Sequence, residues 1–76
     1  MITVKLYGLI RIESGIKEKQ LQADTVSEII DKLIACGISH KDLCSCLFLI
    51  NGTKANKRSK LKDGDVVMLM SPVAGG

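Results

Sequence analysis

The chain has 76 residues, 46% of them hydrophobic and 25% charged, with a mean hydropathy of +0.22. That is enough apolar material for one core and too little for two, which excludes an enzyme with separate cofactor and substrate lobes and lies well away from the composition of disordered chains. Eleven Lys plus Arg against eight Asp plus Glu give a net charge of +3, and Tyr7 and Phe48 are the only aromatics, so stacking platforms for single-stranded nucleic acid are lacking.

Along the chain, Ile2, Val4 and Leu6 alternate with Thr3, Lys5 and Tyr7, the period of a strand with one face on a core. A loop around Glu13-Ser14-Gly15 then reverses direction, and Ile16 to Ala23 reads as a polar second strand at a sheet edge. Thr25 and Glu28 form the signature of a reciprocal capping box. Behind it Val26, Ile29, Ile30, Leu33 and Ile34 fall on one helical stripe. Gly37 supplies the left-handed stop, with Ile38 placed to fold back on the last turn. Ser39-His40-Lys41-Asp42 reads as a short capped turn. Cys46 to Ile50 is a dense apolar strand, Asn51-Gly52 matches a type I′ hairpin into a short fourth strand, and Asp63-Gly64-Asp65 turns into the apolar strand Val66 to Met70.

Strand, strand, helix, strand, short strand, strand makes an α+β domain over residues 1–70: a mixed sheet of four to five strands covered on one face by one main helix. Parallel pairing of the first and last strands at its centre explains why Val66 to Met70 lacks polar alternation. One helix covers only one face, so the other inherits Met68 and its neighbours, as a surface filled by loops or by a partner.

No apolar run nears the ~20 residues of a membrane helix. Met1 leads into Ile2-Thr3-Val4 without the features of a secretory signal, so a cytoplasmic location is expected. Three cysteines, Cys36, Cys44 and Cys46, are an odd number without export, which points to reduced thiols. Cys36 and Cys46 are expected as small buried hydrophobes; a metal site needs His40 and all three thiols to converge, and none is assigned. One histidine and no G-x-S-x-G, P-loop, G-x-G-x-x-G or H-E-x-x-H leave no recognisable catalytic set. Asp63 and Asp65 are expected as turn residues. The basic group Lys54, Lys57, Arg58, Lys60 and Lys62 reads as a solvated loop, with docking of an acidic partner as the alternative.

The end of the sequence, Ser71-Pro72-Val73-Ala74-Gly75-Gly76, is a thin strap without large or charged side chains. Pro72 ends the strand, and six extended residues reach on the order of 20 Å. Two glycines let a narrow channel close around their backbone, and a carboxylate on Gly76 is ionised at neutral pH and can attack the α-phosphate of ATP when an enzyme positions it.

Tyr7-Gly8, Arg11, Gly15, Thr25-Val26, Asn51-Gly52, Leu61-Lys62-Asp63-Gly64-Asp65-Val66-Val67 and Pro72-Val73-Ala74-Gly75-Gly76 together resemble, from end to end, the ubiquitin-like β-grasp sulfur carriers, the MoaD/ThiS family. Among its branches the ending is most similar to the small subunit of molybdopterin synthase, with the thiamine-thiazole sulfur carrier second. The resemblance implies a β-grasp fold with an extended tail over 71–76 and a co-substrate rather than an enzyme. In the implied cycle a ubiquitin-activating-type adenylyltransferase uses ATP to form a glycyl-adenylate on Gly76. Sulfur from a donor, a cysteine desulfurase or a rhodanese-like protein, replaces AMP, and the thiocarboxylate serves molybdenum cofactor biosynthesis. The tail then enters a large catalytic subunit, so Gly76 holds the sulfur, Gly75 allows close passage, and Pro72, Val73 and Ala74 line the inserted segment. Phe48 and Met68 are expected on the docking face, and no cofactor is permanently bound. Ser71 departs from the pattern, standing where that branch often has a second proline. The alternatives are a carrier for another sulfurated metabolite, a protein modifier, and an interaction module that is never activated.

Overall fold

The computed structural model describes residues 1–71. The elements run β1 (Ile2–Tyr7), α1 (Leu9–Ser14), β2 (Glu18–Leu21), α2 (Val26–Ala35), α3 (His40–Cys44), β3 (Leu47–Ile50), β4 (Thr53–Ala55) and β5 (Val66–Met70). The five strands form one sheet in the order β2-β1-β5-β3-β4. β1 and β5 are parallel neighbours at its centre, in the register Val4↔Val67 and Leu6↔Leu69; the other pairs are antiparallel.

Because side chains alternate across a strand, this register places Ile2, Val4, Leu6, Phe48, Val67 and Leu69 on one face, where all are buried. α2 lays Val26, Ile29, Ile30 and Leu33 against them, and α1 and α3 add Ile10 and Leu43 to the same core. Ile34, expected on the buried stripe, is 37% exposed: at about 100° per residue it falls at the margin of the stripe centred on Val26, Ile29, Ile30 and Leu33.

Both ends of α2 follow the sequence reading. Thr25 Oγ1 accepts from Glu28 N at 3.3 Å, while the Glu28 carboxylate accepts from the backbone of Asp24, one residue earlier than a standard capping box, at 3.2 Å. Val26 and Ser27, whose amides have no partner inside the helix, donate to the carbonyls of Ser59 and Lys57 at 3.1 and 3.0 Å. At the other end Gly37 has φ 101°, and Gly37 N and Ile38 N donate to Ile34 O and Leu33 O, a Schellman closure that brings Ile38 to 6% exposure. Asn51 and Gly52 have φ 50° and 85°, as a type I′ turn requires.

Three local expectations are corrected. The loop expected around Glu13-Ser14-Gly15 is the end of the short helix α1, with Gly15 as its left-handed cap; a helix of six residues is too short to display a 3.6-residue period, and burial of Ile10 holds it in place. The turn over Ser39–Asp42 is the start of α3, anchored by Leu43. Of the two cysteines expected inside, Cys46 is buried, but Cys36 is exposed, since the Schellman turn sends Ile38 rather than Cys36 into the core.

The Cys46 thiol donates to Asp42 O at 3.2 Å. Burial first, and then the Asp42 carboxylate, push its pKa up to about 11. The folded chain thus holds this proton more tightly than the unfolded chain, where a thiol titrates near ~8.5. The associated stability is complete below that value and is lost as the pH rises toward 11. Tm is accordingly expected to drop between pH 9 and 11 by more in the wild type than in Cys46→Ala, as read by circular dichroism melts across that range.

Candidate functional site: the tail exit and the open sheet face

Where the chain leaves the sheet, Ser71 continues the ladder by one residue, its amide donating to Tyr7 O at 3.3 Å. Its hydroxyl accepts from Ile10 N at 2.8 Å and donates to Tyr7 O at 3.3 Å. One side chain therefore ties the end of β5 to the corner between β1 and α1. Gly8 makes room for it. With φ 76°, Gly8 adopts a backbone conformation that disfavours side chains, and a Cβ there would lie 2.8 Å from Ser71 O and 2.9 Å from Ser71 Oγ. Beside this knot an open hollow of about 200 Å³ is lined by Leu9, Ile10, Glu13, Asp42, Ser45 and Ser71. The last strand thus ends at a fixed point. Pro72, Val73, Ala74, Gly75 and Gly76, the residues expected to carry and line the insertion, lie outside the described residues.

The sheet face opposite the core is the second part of the site. The register sets Lys5 beside Met68, Tyr7 beside Met70, Leu47 beside Met70 and Leu49 beside Met68. Met68, Leu49 and Tyr7 are half-buried, while Leu47 and Met70 are 42% and 40% exposed. The result is an apolar strip across β1, β5 and β3 that no helix covers among the described residues, with Lys5 along it and Lys54, paired with Leu49, at its far edge. Met68 stands on this face, as expected. Phe48 does not: it is one residue out of phase with Leu47 and Leu49 and points into the core, 6% exposed. Leu47, Leu49 and Met70 take its place, and strand parity is the signal that finds them.

The base of this strip is pinned by the turns. Asn51 Nδ2 donates to Asp65 Oδ1 at 2.9 Å, Asn51 Oδ1 accepts from Val66 N at 3.0 Å, and Asp65 Oδ2 accepts from Lys62 N at 2.8 Å. The Lys62 amide and then the Asn51 amide hold the Asp65 carboxyl below its ordinary pKa. Asp63 pairs with the N-terminal ammonium. Both acids are structural turn residues. Among the described residues no group of three or more His, Cys, Asp or Glu converges as a metal site. Of the four residues that a metal would need, only His40 and Cys44 touch. No helix of the described residues is long and apolar enough to cross a membrane.

A five-stranded mixed sheet with a parallel central pair, clasped on one side by a helix, is a ubiquitin-like β-grasp domain. The ThiS family model matches residues 4–76, and the chain belongs to that family, within the ubiquitin-like carriers and modifiers. No curated protein matches the chain significantly. Among solved structures it is similar to a chain in the complex of subunits 1 and 2 of molybdopterin-converting factor from Helicobacter pylori, with 28% identity, a TM-score of 0.75, and 99% of this chain and 97% of that one covered. Small archaeal modifier protein 1 from Methanosarcina acetivorans is 26% identical, with a TM-score of 0.71 and 99% and 95% coverage. A chain of the BexX/CysO complex from Amycolatopsis orientalis shares the fold at 24% identity, with a TM-score of 0.73 and both chains covered fully.

The contact between Gly8 and Ser71 gives a direct test. Gly8→Ala forces either Ser71 or the corner to move and is expected to lower stability by about 1–3 kcal/mol, the usual cost of strained backbone. It should also shift the Ser71 and Ile10 amide resonances well outside the range seen for Gly52→Ala, where a Cβ meets open space. Denaturant melts and amide spectra of the two variants provide the comparison.

Proposed function

We propose that this chain is a sulfur carrier whose Gly76 carboxylate is adenylated by a ubiquitin-activating-type enzyme and converted to a thiocarboxylate that supplies sulfur in molybdopterin synthesis. The observation that carries the reading is the fixed root: Ser71, knotted to Tyr7 and Ile10, holds the chain at one end of an apolar sheet strip, and the Pro-Val-Ala-Gly-Gly sequence follows it directly. Five extended residues span at most about 18 Å, so a partner seated on the strip is within reach of the tail. Membership of the ThiS family and the 28% identity to a chain of the molybdopterin-converting factor complex support the same assignment.

In this scheme the body contributes no acid, base or nucleophile to the sulfur chemistry. The carboxylate attacks the α-phosphate of ATP and pyrophosphate leaves. The mixed anhydride makes the glycyl carbonyl electrophilic, the outer sulfur of a donor persulfide displaces AMP to form an acyl disulfide, and a second thiol of the donor protein cleaves that S–S bond, releasing the thiocarboxylate and leaving the donor as a disulfide. Gly75 and Gly76 let the activating enzyme close around the backbone, Pro72 stiffens the root of the strap, and Val73 and Ala74 fill the channel of a large catalytic subunit. Met68, Met70, Leu47 and Leu49 form the apolar centre of its docking surface, with Lys5 at the rim facing partner carboxylates. The identity to small archaeal modifier protein 1 supports a second reading, in which the activated glycine is passed to a lysine amine of another protein.

Incubated with its cognate activating enzyme, ATP and a sulfur donor, the protein should gain the mass of one oxygen-to-sulfur exchange, read by intact mass spectrometry. A single residue added after Gly76 should abolish the gain. Failure of the exchange with every cognate activating enzyme rejects the carrier reading, and an isopeptide-linked product identifies the modifier. For the docking surface, Met68→Asp is expected to weaken binding to the large subunit at least about tenfold, the loss typical of a central interface residue. Its Tm should stay close to that of the wild type, as calorimetric titration and thermal melts will determine.

A further inference from the structure

The turn after β4 meets α3 on a part of the surface that the carrier reading does not use. His40 and Cys44 lie one helical turn apart on α3, with Cys44 Sγ 3.5 Å from His40 Nε2 and 3.7 Å from Nδ1. In either neutral tautomer one of those nitrogens is an acceptor, so the thiol has a base within reach whichever form is present. From the other side Lys57 Nζ donates to the same sulfur at 3.6 Å. All three side chains are exposed.

The arrangement is built on two fixed supports. Leu43, fully buried, anchors α3 to the core. Lys57 sits in a turn closed by Asn56 and Ser59, where Arg58 N donates to Asn56 Oδ1 at 2.8 Å and Asn56 N donates to Ser59 Oγ at 3.0 Å. Its carbonyl accepts from Ser27 N at the start of α2. The ammonium is therefore brought to the sulfur from thirteen residues away by the same bonds that cap α2. A thiol between a base and a cation, open to solvent, is the microenvironment of a reactive cysteine. The other two thiols differ: Cys36 is exposed but makes no side-chain hydrogen bond among the described residues, and Cys46 is buried with its proton held.

We propose that Cys44, with His40 as its base and Lys57 as its electrostatic partner, is a thiol–disulfide exchange site that takes small anionic disulfides. In the exchange the Cys44 proton passes to the imidazole and the thiolate attacks one sulfur of the disulfide. The reagent's S–S bond breaks as the Cys44–S–S bond forms, and the departing thiolate takes the proton back from His40. Cys44 is oxidised, one half of the disulfide is reduced to a thiol, and no further oxidant is needed. The Lys57 ammonium attracts a carboxylate-bearing disulfide and stabilises the thiolate that attacks it. Cys46, two residues on, stays protonated at neutral pH and does not displace the new disulfide, so the adduct persists.

The test uses the full chain with oxidised glutathione at pH 7 and low salt, following mixed disulfide formation at each cysteine by peptide mass spectrometry. Cys44 is expected to react at least about tenfold faster than Cys36, the exposed thiol of the same molecule. His40→Gln and Lys57→Met should each slow Cys44 by about threefold or more and leave Cys36 unchanged. Oxidised glutathione should outpace the dicationic disulfide cystamine at Cys44, and Lys57→Met should erase that preference. Equal rates at Cys44 and Cys36, or a Cys44 rate indifferent to both substitutions, would overturn the proposal. The outcome is independent of any sulfur at Gly76.

Discussion

Thr3 lies beside Val66 and Tyr7 beside Met70, each pair sixty-three residues apart in sequence, and the parallel hydrogen bonds between them hold the centre of the sheet. Closing a loop of that length costs conformational entropy that local contacts cannot return. It is offset only because both strands are buried along a full face, with Val4, Leu6, Val67 and Leu69 almost wholly removed from water. Once this pair exists, its neighbours are constrained. β2 can add only beyond β1, β3 only beyond β5, and the chain must leave the sheet beside the end of β1, where Gly8 and Ser71 meet.

From that geometry the molecule divides into two sides with different work. The face under α2 carries the core and supplies stability. The opposite face keeps Met68, Met70, Leu47 and Leu49 half-buried or exposed, next to the end of β5 that Ser71 ties down. Membership of the ThiS family and the sulfur carrier reading fit that division, because a carrier needs a rigid body, a recognition surface and a strap, and its chemistry belongs to the enzymes that load and unload it. Ser71 has a structural use: its N–H and hydroxyl make bonds to Tyr7 and Ile10 that a proline in that position would lack.

The cysteines illustrate how three thiols of one small domain acquire different chemistry from their surroundings. Cys36 closes a helix at the surface, Cys46 is desolvated at the mouth of β3, and Cys44 stands between an imidazole and an ammonium. Their spacing in sequence, with Cys44 and Cys46 only two residues apart, carries none of this. A step of two residues at the end of α3 moves the side chain from solvent to the edge of the core.

Local signals suffice for several elements: the first strand from its alternation, α2 from its stripe and caps, the hairpin from Asn51-Gly52, the fifth strand from its double-faced apolar run, and the family from the motifs along the chain. The α1 and α3 segments were not legible because one and a half turns of helix carry too little periodicity, and both depend on single anchors, Ile10 and Leu43, buried by distant residues. The face that Phe48 takes is not legible in the sequence, because an all-apolar strand does not announce which side is which; only pairing with Leu69 on one side and Ala55 on the other fixes its parity. The lock between Gly8 and Ser71, and the meeting of Lys57 with Cys44, join segments remote in the chain. They exist only when the sheet closes, since no property of those residues taken singly brings them within reach of one another.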